Sequence, residues 1–274
     1  MTTLARRGGA LGRELRAAYA FIERNANLIK RYWAWELVWL AYSLVNALSI
    51  TFIGKAFGSD RTILFLLVGT LVWHYLAMVF DLVSESIQWE RWEGTIEYTF
   101  MAPVSRLTHL LGQAAFAVIY GVLHTAVILG VITLFFQIDM RNANFLGILL
   151  IIVAGSLSFI GLGMLAAVLP LLSPEKGMQM TNIVKALVLL ISGVYYEIDV
   201  LPAWLQHLSK VSPAYYMLVG MRRALLDGTG VGTLFMPNIV PLLITGVITI
   251  PVGLYIFMRA EHYAKRTGIL KRNG

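Results

Sequence analysis

Fifteen carboxylates, five histidines and no cysteine are the chemical resources of this 274-residue chain. Without a thiol there is no disulfide framework and no thiolate metal site. His74, His109, His124, His207 and His262 are scattered, and none has a second ligand at metal spacing. A GxxxxGK[ST] phosphate loop is missing, so the chain is not expected to hydrolyse ATP or to bind a cofactor by itself. HExxH, GxSxG and other serine-hydrolase arrangements are missing too, which argues against an enzyme. Glu197, Asp199 and His207 come nearest to a lipid-modifying site, and they form no recognisable constellation.

The densest polar stretch is residues 85–106, ESIQWERWEGTIEYTFMAPVSR. Trp89, Trp92, Tyr98 and Phe100 stand among Glu85, Glu90, Arg91, Glu93 and Glu97, with breaks at Gly94 and Pro103. Short helices with aromatic knobs and charged flanks suit a partner's groove. Two tryptophans this close argue against a plain solvated loop, since water penalises that much exposed apolar surface.

The rest of the chain explains why this stretch stands out. Hydrophobic residues make up 58% and charged residues 14%, with mean hydropathy +0.72. A soluble domain carries roughly 25% charged residues, and a water-soluble fold could not bury so much apolar surface. The expected fold is all-α: a polytopic membrane protein with six transmembrane helices near 33–53, 62–84, 107–136, 145–172, 180–196 and 238–258. Residues 85–106 and 173–182 then form turns on one side, and Asp139 and Arg141 lie in a turn on the other. Pro202 and Pro213 break residues 197–236, which are expected as short re-entrant helices before the last span, buried by their neighbours.

Of the 22 Lys and Arg, seven lie in residues 1–32 and five in residues 259–274. Basic residues beside a span mark the cytoplasmic side and attract anionic lipid at roughly 1 kcal/mol each. Both ends are therefore expected in the cytosol, the second as a basic tail. Lys210, Arg222 and Arg223 run against this bias. Both basic clusters adjoin apolar spans without any DNA- or RNA-binding motif, so nucleic acid is not an expected partner. Leu11, Leu15, Ala18, Ile22 and Ile29 recur at helical spacing, predicting an amphipathic helix in the headgroup layer that leads into Trp33, Trp35 and Trp39. No cleavable signal peptide is apparent, so the spans themselves are expected to direct insertion. Glu36 and Asp81 lie near the expected cytoplasmic ends of their spans, where they can reach water or pair with basic residues.

Two motifs resemble those of the ATP-binding-cassette (ABC) type-2 permeases, membrane subunits of exporters for drugs, polysaccharides and lipids. One is Glu93-Gly94-Thr95-Ile96-Glu97 followed by Ala102-Pro103-Val104-Ser105-Arg106. The other runs Ser192-Gly193, Tyr195-Tyr196, Leu201-Pro202, Trp204-Leu205, Pro213, Tyr216, Arg222 and Gly228. Where many members of the family carry a proline after those aromatics, this chain has Glu197 and then Asp199. An acidic mouth there favours cationic substrates, or pairs with Arg222 or Arg223.

The resemblance implies a homodimer, or a pair with a homologous subunit, in a prokaryotic cytoplasmic membrane. Two separately encoded ATPase subunits, carrying the ATP and Mg, would power it. Trp89, Glu90, Arg91, Trp92, Glu93, Gly94, Thr95 and Glu97 would form the coupling helix that docks on the ATPase. Tyr195, Tyr196, Glu197, Asp199, Pro202, Trp204 and Tyr216 would line the substrate path or its external gate. The alternative is a secondary transporter or channel, for which repeated halves, broken mid-membrane helices or a path of ionisable residues would speak.

Overall fold

The computed structural model describes residues 2–137 and 141–270, helical almost throughout and without a strand among them. Asp139, Lys271 and Arg272 lie outside the described residues. Helix α1 (Thr2–Arg31) is separated by a turn at Tyr32 from α2 (Trp33–Ala56). Next come α3 (Asp60–Glu93), the short α4 (Ile96–Met101) and α5 (Arg106–Phe136). Helix α6 (Phe145–Ala166) runs into α7 (Val168–Leu172), and α8 (Gly177–Ser192) follows. A 3-10 turn (Ile198–Val200), α9 (Ala203–Ser209) and α10 (Pro213–Leu225) precede the final stretch. That stretch is α11 (Val231–Leu234), a π turn (Phe235–Ile239) and α12 (Val240–Thr267).

Five stretches are long and apolar enough to cross a membrane: α2, α3, α5, α6 with α7, and α11 through α12. Six spans were expected. The fifth expected span, 180–196, is α8, which has only 16 residues. At 1.5 Å per residue that is about 24 Å, short of the roughly 30 Å hydrocarbon core. Its termini nonetheless sit far apart along α3. Pro174, just before α8, accepts from Gln88, whereas Val194, just after it, lies against Gly69.

Three other boundaries move. Residues 85–93 continue α3, which reaches 34 residues and about 50 Å, because no breaker intervenes before Gly94. Gly94 ends α3 in the left-handed region at φ 71°, and its amide donates to Arg91 O. Residues 231–236, expected in the broken segment, belong to the last long stretch. The π turn there absorbs Pro237, which cannot donate to the ordinary helical ladder. Residues 259–267, expected as tail, are helical.

Helix α3 is the central strut, buried over most of its apolar length. Helices α6 and α12 form the tightest crossing. A Cβ on Gly161 would lie 2.5 Å from the carbonyl carbon of Thr249, and one on Gly246 would lie 3.1 Å from Leu157 C. Small residues at such a crossing let the backbones touch, which drives association where lipid removes the hydrophobic incentive. Ser158 adds a bond across the same crossing, donating to Leu242 O at 2.7 Å.

Candidate functional site

One end of the bundle collects the expected coupling residues and splits them into two sets. Trp89, Trp92, Glu93 and Glu97 are exposed, as are Tyr98 and Met101 beyond them. Trp89 and Trp92 are 54% and 51% exposed and Tyr98 is 71% exposed, although Ile96 and Phe100 anchor α4 in the core. The two indoles meet edge to face, 5.4 Å between centroids. The expected coupling helix 89–97 is in fact the last turn of α3 and the first turn of α4, hinged at Gly94 and Thr95. Thr95 N donates to Glu90 O at 2.9 Å, closing that hinge.

Glu90 and Arg91, by contrast, face inward. Glu90 is fully buried and accepts from Arg24 Nη1 of α1 at 3.1 Å. It also lies 3.2 Å from His109 Nε2 of α5. Around this junction the Phe21 ring packs tilted against His109, Asn25 donates to Gln113, and Thr108 donates to Glu14. Arg91 Nη2 donates to Ile269 O at 2.9 Å. Trp92 Nε1 and Gln88 Nε2 both donate to Pro174 O. Arg106 completes the assembly, stacking on Phe100 and pairing with Glu261 of α12 at 2.8 Å. Helices α1, α3, α4, α5 and α12 and the turn before α8 are thus fastened together behind an exposed aromatic surface. The α1 side and the C-terminal side of the chain meet at this same end.

The other expected set sits at the opposite end. Tyr195, Glu197, Asp199, Pro202 and Trp204 are exposed, while Tyr196 and Tyr216 are half-buried. Tyr196 OH donates to Leu190 O, and Tyr216 OH donates to Lys210 O at 2.7 Å. Arg222 hydrogen-bonds to backbone carbonyls and not to Glu197 or Asp199. Its Nη atoms donate to Gly193 O at 3.1 Å, Val194 O at 2.8 Å and Phe65 O at 3.3 Å, and its guanidinium lies over the Phe65 ring. Burial lowers its pKa to about 10 and Glu197 opposes that shift, so it stays charged at neutral pH. The cation therefore caps the end of α8, where carbonyls lack helical partners. That role accounts for an arginine at the end remote from the basic termini. No ion pair joins it to Glu197 among the described residues.

Three polar junctions join neighbouring helices. Lys185 of α8 pairs with Asp81 of α3, a partner that sequence reading did not assign, though a lysine in NIVKALVLLIS demands one. Tyr120 donates to Glu36 across α5 and α2. His74 Nε2 and His124 Nδ1 are 3.0 Å apart, so two histidines read as scattered are neighbours across α3 and α5. No cluster of three His, Cys, Asp or Glu side chains is placed to hold a metal ion among the described residues.

A bundle of long apolar helices, knitted together at one end behind an exposed aromatic apex, is the form of a multi-pass membrane protein. Residues 17–226 match the ABC-2 type transporter family, and the chain belongs to it. Membrane domains of this family are permease subunits rather than enzymes, and the family generally works with an ABC ATPase partner. No curated protein matches the chain.

Proposed function

We propose that this chain is the membrane half of an ATP-driven exporter, energised by separate ATPase subunits that dock on its exposed apex. The observation that carries this reading is the position of Trp89, Trp92, Tyr98 and Met101. All four are exposed at the fastened end of a chain whose family pairs with an ATPase. Aromatic side chains of this kind dominate docking energy when a partner desolvates them. The ATP and Mg belong to that ATPase, in two copies serving a permease homodimer. The spans move an amphiphile (drug, lipid or polysaccharide) out of the cytosol.

The fastening behind the apex supplies the lever. A push on α4 meets Arg106, and through it α5 and α12. A push on the end of α3 meets Glu90, and through it α1 and α5. Motion of the ATPase pair would therefore reach most long helices as one body, a two-state coupling between separate sites.

The apex end faces the cytosol on this reading. Helix α1 supports that placement with three faces at 100° per residue. Glu14, Phe21 and Asn25 point to α5. Leu11, Leu15 and Tyr19 form an exposed apolar stripe beside that face. Arg13, Arg16, Lys30 and Arg31 occupy an exposed remainder. A helix so divided suits the headgroup layer. Helix α8 and the turn at 193–196 make the sixth crossing. Glu197, Asp199 and Trp204 then face outside.

The test is the double variant Trp89→Ala/Trp92→Ala, coexpressed with an ATPase encoded beside this gene. The expected result is normal membrane insertion with loss of ATPase association and of export. Export that persists in the double variant, or that runs on an ion gradient without ATP, would overturn the reading in favour of a secondary transporter.

A further inference from the structure

A cavity of about 180 Å³ opens inside the half of the bundle remote from α4, between α3, α5, α6 and α10. Its walls are almost wholly hydrocarbon. Val68, Leu71 and Val72 of α3 form the back, and Met217, Met221 and Leu225 of α10 form the roof. These α10 residues recur every fourth position and so line one stripe of the helix. Of the cavity's lining hydroxyls, that of Tyr75 is engaged with Ser156, and Thr125 Oγ1 alone has no protein partner, short of the roughly two to four polar groups a buried water needs. Two lining residues are exposed, Ala126 on α5 and Phe145 on α6. They mark the mouth between those two helices. The flanking surface is apolar as well, with Leu123, Val127, Leu149 and Val153 all exposed.

We infer that this cavity holds an acyl chain of a phospholipid from the surrounding bilayer, entering sideways between α5 and α6. The observations select this occupant in three ways. Water is a poor one, because even a roughly 150 Å³ cavity lined by such side chains stays dry and takes up apolar molecules instead. The mouth opens on the apolar flank of two long membrane helices, where hydrocarbon chains are the neighbouring solvent. Two methionines in the roof supply flexible thioether chains that adapt to a disordered occupant. Helix α10 also carries Arg222, which ties it to the end of α8. The occupied chain therefore braces the cap that closes this end of the bundle. On the orientation proposed above, the lipid comes from the outer leaflet.

The test uses the full-length chain in phospholipid vesicles containing a phosphatidylcholine with a photoreactive diazirine on its acyl chain. Labelled residues are mapped by mass spectrometry. The inference predicts labels on Met217 and Met221 as well as on the outward-facing Leu123 and Leu149. Ile148→Trp, which fills the cavity, removes the first pair and leaves the second. Ala126→Trp blocks the mouth and gives the same pattern should the first variant fail to fold. Labels confined to Leu123 and Leu149 in the unaltered chain would overturn the inference, as would methionine labels that survive both variants. Strong labelling of Met217 and Met221 by a water-soluble diazirine would also overturn it, since the space would then be aqueous. None of these readouts depends on export, so failure here leaves the transport reading untouched.

Discussion

Glu90 shows how far a single residue's role depends on the helix that carries it. Its type and neighbours suggest a docking surface, yet it is wholly buried between Arg24 and His109. Hydrogen bonds to a charged group are worth about 1.5–3 kcal/mol each. Arg24 keeps partial access to water and can be solvated when Glu90 is removed, whereas removal of Arg24 leaves a buried carboxylate with His109 alone. Arg24→Ala is therefore expected to lower thermal stability more than Glu90→Gln, measured by loss of helical circular dichroism on heating in detergent. The same logic applies to Asp81 and Lys185. Either single neutralisation, Asp81→Asn or Lys185→Met, leaves an unpaired partner charge among apolar side chains, at a cost below the roughly 2.5–3.5 kcal/mol of mid-bilayer because both groups keep some access to the surface. The double variant is expected to recover most of that loss in a double-mutant cycle on the same melting assay. Helical periodicity would have revealed the inward face of Glu90 and Arg91, had residues 85–93 been read as a continuation of the second span. Read instead as a turn carrying short docking helices, the stretch has no span to pack on, and every polar residue in it is available to a partner. His74 and His124 are a different matter. Fifty positions separate them, and only the register of α3 against α5 makes them a pair.

At the level of elements, hydropathy located the five long stretches because lipid demands about 20 apolar residues per crossing. It does not mark where the helices themselves end, as in α3 and α12, since polar residues extend a helix without extending the apolar run. The α6–α12 crossing was invisible for another reason. Glycines in an apolar run give no hint of which helix they face. Gly161 and Gly246 become meaningful only when Thr249 and Leu157 are seen against them. Gly161→Ala is expected to cost about 1–3 kcal/mol through enforced separation of the two backbones. A fall in the melting midpoint, absent for Ala in place of the uncrowded Gly130, would check it. Ser105, whose side chain accepts from Thr108 N to cap α5, is a milder case. Its replacement by Ala is expected to cost about 1 kcal/mol.

The molecule as a whole brings α1, the C-terminal side of α12 and the aromatic apex to one end, and Glu197 and Asp199 to the other. The chain has no native cysteine, so single introduced thiols report cleanly on this arrangement. Asp199→Cys is expected to react with an impermeant maleimide from outside the cell, and Glu97→Cys only after the membrane is opened. Equal labelling of both in intact cells would refute the proposed sixth crossing by α8. The apex itself decides the central claim most directly. With Tyr98→Cys in the chain and a bifunctional maleimide crosslinker, the account predicts an adduct with the ATPase whose yield changes when ATP is added. Leu123→Cys, on the lipid-facing side of α5, should give none. An ATPase that copurifies but never crosslinks to position 98, or a yield at position 98 no higher than at position 123, would contradict it.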